Sequence, residues 1–190
     1  AGMNRRIAGL AGILVRSVIA AVILMLQRFP GQPAQDHDRA RDLEKLAANY
    51  EYRLTTGSSY RLTNGLFEVN RSLDDQVYVK LRAVVVGDLN GDGRSDVAVI
   101  LSSNYGGSGT FLEVTALVDT GRALKQANGL ELGDRVEIKN LKVAAGEIVI
   151  DMLTHGPDDP MCCPSLKTTR CFRLTEGRLT EEVGRDSRAP

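Results

Sequence analysis

Aromatic side chains are scarce, 5 % of 190 residues, and 24 basic groups are balanced by 24 acidic ones. Nucleic-acid binding draws on basic stripes and aromatic stacking platforms, so these two shortages exclude that class of partner. Histidine is nearly missing too. Of two histidines, His37 falls in a solvated helical stretch and His155 in a proline-rich loop, and neither accompanies a Ser or Cys nucleophile in an elbow sequence. The acid pair Asp158-Asp159 is flanked by Pro157 and Pro160, a setting in which aspartates serve as turn residues. Catalysis has no inventory here, and the expectation is a non-enzymatic protein. No self-similar period of about 40–50 residues recurs, which argues against a full propeller.

Charge balance holds only as a sum. Residues 1–35 carry four of the 24 basic groups and none of the acids, leaving residues 36–190 with 20 against 24, a balance of −4. Those early arginines flank and interrupt a long apolar run, residues 7–26, broken by Arg16 and Ser17. At about 1.5 Å per residue such a run spans roughly 30 Å, the thickness of a bilayer core. Arg5 and Arg6 precede it. The positive-inside tendency then puts the N-terminus in the cytoplasm and the remainder on the periplasmic side of a bacterial inner membrane. Arg16 would lie deep in the bilayer at a cost of about 2.5–3.5 kcal/mol, relieved by snorkelling or by a polar group of another membrane subunit. The competing parse is a signal segment cleaved after Ala34. That cut would put Gln32 where a small residue is wanted. No Cys immediately follows the apolar run, which excludes a lipoprotein anchor.

One stretch names a ligand. Residues 88–96 read Asp-Leu-Asn-Gly-Asp-Gly-Arg-Ser-Asp. Ca²⁺ takes about 6–8 oxygens at roughly 2.3–2.6 Å, so a short loop must curl until alternate side chains converge. Asp88, Asn90 and Asp92 would supply side-chain oxygens, Arg94 its carbonyl, and Asp96 would close the shell from the next strand, with Gly93 permitting the curl. An EF-hand needs a bidentate Glu at the twelfth position, which here is Val99, so the helix-loop-helix form fails. The flanks 83–87 and 97–101 are β-branched and apolar, as in two buried strands. A strand-loop-strand with Asp at the ninth position resembles the FG-GAP or VCBS-type loops of integrin-like propellers. The plainer alternative is an acidic β-turn.

Residues 29–35, with Pro30 and Pro33, read as a stiff linker. Helical spacing follows over 36–50, with Leu43, Leu46 and Ala47 on one face. A hairpin is expected around Asn64-Gly65. Further strands are expected at 77–87, 96–102, 110–119, 135–143, 147–153 and 171–175. The spacing predicts a mainly β, antiparallel domain over 51–183 with six to eight short strands and one packed helix, behind a transmembrane anchor at 1–28 and before a tail at 184–190. Tyr105-Gly-Gly-Ser-Gly-Thr110 lacks the Lys-Ser/Thr tail of a phosphate loop and reads as a turn or edge loop. Exported cysteines tend to oxidise. Adjacent cysteines close a strained ring, so a bridge from Cys171 to Cys162 or Cys163 is expected, worth roughly 2–3 kcal/mol. A zinc site from His155, Cys162, Cys163 and Cys171 has the wrong chelate spacing.

The ordered set Gly87-Asp-Leu-Asn-Gly-Asp-Gly, Gly106-Gly-Ser-Gly-Thr-Phe, Leu132-Gly-Asp-Arg-Val and His155-Gly-Pro-Asp-Asp-Pro-Met-Cys-Cys-Pro resembles a group of uncharacterised bacterial envelope β-domain proteins. The resemblance implies a small exported β-domain and transfers no active site. Two functions remain open. One is a single-pass accessory subunit whose calcium-stabilised domain covers the periplasmic face of a larger complex, respiratory or photosynthetic for example. The other is a soluble periplasmic ligand-binding module or enzyme accessory released by cleavage.

Overall fold

The computed structural model describes residues 33–70 and 76–182. The apolar run 7–26 with Arg16, most of the linker and the tail lie outside the described residues. Among the described residues no helix is long and apolar enough to cross a membrane. The chain divides between His37 and Asp38 into two units, and the second holds every strand of the β-domain.

The helix α1 runs Pro33–Ala48, starting inside the expected linker. Proline is tolerated in a first helical turn because its missing N–H would have no partner there. Leu43 and Ala47 are fully buried, but Leu46 is 52 % exposed, which corrects the expected three-residue face. The buried stripe is narrower than the apolar spacing, with Leu43 and Ala47, one turn apart, packed in the cluster on the large sheet.

Twelve strands come after α1 among the described residues, against six to eight expected. They are β1 (Glu51–Arg53), β2 (Ser59–Arg61), β3 (Leu66–Asn70), β4 (Gln76–Gly87), β5 (Asp96–Tyr105), β6 (Phe111–Asp119), β7 (Leu124–Gln126), β8 (Leu130–Asp134), β9 (Glu137–Ala144), β10 (Glu147–Thr154), β11 (Leu166–Thr175) and β12 (Arg178–Glu181). All pair antiparallel. The order β3-β4-β5-β6-β7, with β8 also on β6, makes one sheet; β12-β11-β10-β9 makes a second; β1 and β2 form a ribbon. The expected strand 135–143 is β9, and it begins two residues late because the chain turns a corner there. Arg135 takes φ 50° after Gly133 at φ 133°, so β8 ends on the large sheet and β9 begins on the small one. Asn64 and Gly65 do form a tight turn, with φ 50° and 81°. Thr63 and Leu66 close the turn as a single antiparallel bridge, but beyond it the arms part: β2 pairs with β1 and β3 with β4.

Two apolar layers hold the unit together. Between the sheets, Ala98, Ile100, Val114 and Ala116 meet Ile148, Ile150, Met152 and Phe172. On the outer face of the large sheet, Val97, Val99, Leu101 and Leu117 meet Leu43 and Ala47 of α1 and Tyr52, Leu54 and Leu62 of the ribbon. β5 is therefore covered on both faces and buried from Asp96 to Ser103, which explains an apolar run without alternation. Burying each Val, Leu or Ile contributes about 1.5–3 kcal/mol before chain entropy is set against it. Tyr52 donates its hydroxyl to the Ala47 carbonyl at 2.8 Å, fastening the ribbon to the helix end. Burial, with Tyr50 alongside, pushes that phenol well above its ordinary range.

Candidate metal centre

β4 and β5 pair as far as Gly87↔Asp96, so residues 88–95 are the loop between them. At Gly87 the large sheet closely approaches β9 of the small one. A Cβ placed there would stand 2.9 Å from both Cβ and Cγ1 of Val143 in β9. Leu89 plugs into the core between the sheets, 3 % exposed, and pins the loop's first turn. Gly91 and Gly93 take φ 77° and 82°, a region that costs an L-residue about 1–2 kcal/mol.

With the backbone curled in this way, the side chains at 88, 90 and 92 turn inward onto the loop's own amides. Gly91 N donates to Asp88 Oδ1 at 2.7 Å and Gly93 N to Asp88 Oδ2 at 2.9 Å. The Asp92 amide donates to Asn90 Oδ1 at 2.9 Å, and that of Arg94 to Asp92 Oδ1 at 2.8 Å. Each of these oxygens keeps a second lone pair. Burial pushes the Asp88 carboxyl up, but the amides of Gly93, Gly91, Asn90 and Asp92 outweigh it and hold it below its ordinary value.

Asp96 is fully buried at the start of β5. Its Oδ2 accepts Leu89 N at 3.1 Å and its Oδ1 accepts Asp119 N at 2.8 Å. Burial raises this carboxyl first, and the charges of Asp92 and Asp88 add to the rise. Three carboxylates therefore bear on one another electrostatically, and Asp96 also clamps the loop to the end of β6. Asp119 carries the connection onward. Its carbonyl accepts Arg94 Nε at 3.0 Å, its Oδ1 accepts Gly121 N at 2.8 Å, and its Oδ2 pairs with Arg39 of α1. The Gly121 amide, with Arg39 and Arg94 nearby, holds Asp119 below its ordinary value despite burial.

The structure thus brings Asp88, Asn90 and Asp92 onto one loop, with Arg94 paired to Asp92 across its surface. It places Asp96 beneath them as a clamp. The donor set suits a hard cation: carboxylate and amide oxygens with lone pairs to spare, and a mutual repulsion that a divalent charge would cancel. Among the described residues no group of three or more His, Cys, Asp and Glu side chains converges as a metal cage. Asp119 and Arg39 were missed by sequence reasoning. Asp119-Thr-Gly carries a turn signal, but nothing local marks its partner in a helix 80 positions away.

The cysteine expectation is corrected. The sulfurs of Cys162 and Cys163 lie at bonding distance, and Cys171 is buried in β11. Register explains why the expected bridge does not form. β11 is paired with β10 from Leu166 onward, so Cys171, opposite Val149, stands five residues or about 17 Å along the strand from its start. A Cys162–Cys163 bond also leaves the zinc alternative without two of its thiolates.

Compared with protein families, the chain matches the FG-GAP repeat over residues 81–111. That span takes in the second half of β4, the loop, β5 and the glycine-rich turn into β6, in keeping with an FG-GAP-type β-domain. No match was found among curated proteins or among solved structures.

Proposed function

We propose that the chain is a non-catalytic, membrane-anchored periplasmic accessory subunit of a larger membrane complex, with a β-domain braced by a structural calcium ion. The observation that carries this reading is the polar relay from the loop through Asp96 and Asp119 to Arg39 of α1. A cation held by Asp88, Asn90, Asp92, the Arg94 carbonyl and Asp96 would fix one end of that relay. Its chemistry would be charge neutralisation, with no reaction attached. α1 follows the apolar run in sequence, so the relay braces the first element that comes after an anchor. Arg16 gives that anchor a reason to meet a polar group of another subunit in the bilayer. A respiratory or photosynthetic complex is the kind of assembly that offers such a periplasmic face.

Intact mass and purification in mild detergent test the proposal together. It expects a chain that keeps residues 7–26 and travels with membrane partners in fixed ratio, and Arg16→Leu should weaken that association. A mature chain beginning near Gln35 and travelling alone would contradict it and favour the soluble ligand-binding module.

A further inference from the structure

We propose that the open seam between β4 and β9 docks an extended segment of a partner protein, added as an extra strand to the free edge of β9. The segment it fits alternates apolar and acidic residues. This goes beyond the subunit reading and uses no residue of the calcium loop.

Topology leaves two strand edges unpaired. β9 ends the small sheet and has β10 on one side only. In the large sheet β3 reaches β4 from Gln76 to Lys80, and Gly65 adds one bond at Leu81, so beyond Leu81 β4 is paired with β5 alone. The two strands approach closely at Gly87 and Val143. Farther along, a cavity of about 900 Å³ opens between them, lined by residues 82–84 of β4 and 137–141 of β9 among others. Successive side chains of a strand point to opposite faces, so a cavity bordered by consecutive residues follows the edge of the strand. Among the described residues no backbone group of 137–141 is paired outside β10. An extended segment laid there meets unpaired amides and carbonyls over about 17 Å.

Side chains define the partner. Both strands carry a bulge at the cavity: Arg82 has no residue opposite it between Leu81↔Leu101 and Ala83↔Ile100, and Lys139 has none between Ile138↔Met152 and Asn140↔Asp151. Bulges re-aim side chains and end regular pairing. Here each one brings a cation to the cavity. With Arg135 the lining holds three basic groups against one acid, Glu137. Lys139 is paired with Glu137 and Arg135 with Asp134. Arg82 is exposed, and its guanidinium has no partner among the described residues. Leu112 and Val136, both buried, and the half-buried Ile138 and Leu141 supply the apolar part of the lining. A strand with apolar residues on one face and carboxylates on the other complements both. A second copy docked by the same edge would set its own Arg82 and Lys139 against these, like charge on like.

The test is a titration of the full chain in mild detergent with the peptide acetyl-Thr-Val-Glu-Val-Asp-Val-Thr-amide, followed by amide NMR and hydrogen exchange. Saturable shifts should centre on residues 82–84 and 137–141, and amides of 137–141 that exchange freely in the unliganded chain should gain protection. Putting Lys in place of the peptide's Glu and Asp should weaken binding about tenfold or more. Arg82→Ala, a change at an exposed position, should weaken it about threefold, and less at high salt. N-methylation should abolish binding in at least one of the two alternate sets of peptide amides, because those facing β9 must donate. Absence of saturable binding would make Arg82 and Lys139 guards that keep a bare edge clear, and would overturn the proposal. So would tolerance of both N-methylated sets, equal binding of the Lys peptide, or shifts centred on another strand. Full protection of 137–141 before any peptide is added would show the seam filled by the chain itself or by a second copy, and overturns it too. Retention of residues 7–26 is read by intact mass, so this proposal and the anchored-subunit reading fail separately.

Discussion

Asp96 separates a protein ligand from a metal ligand, because it has a role whether or not calcium is present. The side chain is fully buried and accepts Leu89 N at 3.1 Å and Asp119 N at 2.8 Å. A hydrogen bond to a charged group contributes about 1.5–3 kcal/mol net, and an orphaned buried donor costs about 1–3 kcal/mol. Asp96→Ala strands both amides and should cost about 3–5 kcal/mol, the two terms being offset by relief of the buried charge. Asp96→Asn retains one acceptor, turns an amino group towards the other amide, and should cost about 2–3 kcal/mol. Since a domain of this kind has about 5–15 kcal/mol in total, Asp96→Ala should still fold but with little reserve. The assay is urea unfolding in chelator, where the midpoint should fall with the slope unchanged. The clamp is refuted if either variant loses less than about 1 kcal/mol in chelator, or if the loss is seen only with calcium added.

Three further outcomes are expected. Gly87→Ala forces a methyl to 2.9 Å from Val143 and should lower stability by about 1–3 kcal/mol, partly restored by Val143→Ala; an unchanged melting temperature would contradict the close approach of the sheets. Alkylation of the denatured, unreduced chain should label Cys171 alone, and reductant should expose Cys162 and Cys163; labelling of either without reductant would contradict the adjacent bond. Glu113 has a folded value above its ordinary 4.5, so its contribution to stability is full below that pH and is lost as pH rises through the folded value. Glu113→Gln should remove this decline, and identical pH–stability curves for wild type and variant would show that the carboxyl is not strained by burial.

The loop and its two strands were legible because their signals are local. Carboxylates alternate with glycines over 88–96, and the β-branched flanks 83–87 and 97–101 mark a pair of buried strands. The long strands β4, β5, β6, β9 and β10 fell near their expected places for the same reason. β1, β7 and β12 are three or four residues long and too short to show a period, so they escaped notice, whereas β2 was expected as an arm of the Asn64-Gly65 hairpin. In the first half of β11, Lys167, Thr168, Thr169 and Arg170 put polar side chains on both faces, so the stretch reads as loop. Leu46 shows that helical spacing tells which residues share a side but not how wide the contact will be. Asp119, Arg39 and the Glu113–Glu131 pair depend on partners brought together by sheet register, which no single segment encodes. The cysteine expectation weighed ring strain in a dipeptide and not the position of Cys171 deep in a paired strand.

The central claim is that the loop at 88–96 is a calcium clasp, and thermal unfolding with and without the ion tests it most directly. If calcium is present at about a hundred times its dissociation constant, mass action adds about 2.7 kcal/mol, a rise of roughly 5–10 °C for a domain of this size. The wild-type domain should show that rise, Asp88→Ala with Asp92→Ala should melt lower and lose it, and Asp158→Ala should keep it. A wild-type melting curve that is the same in chelator and in calcium would reduce the loop to an acidic turn.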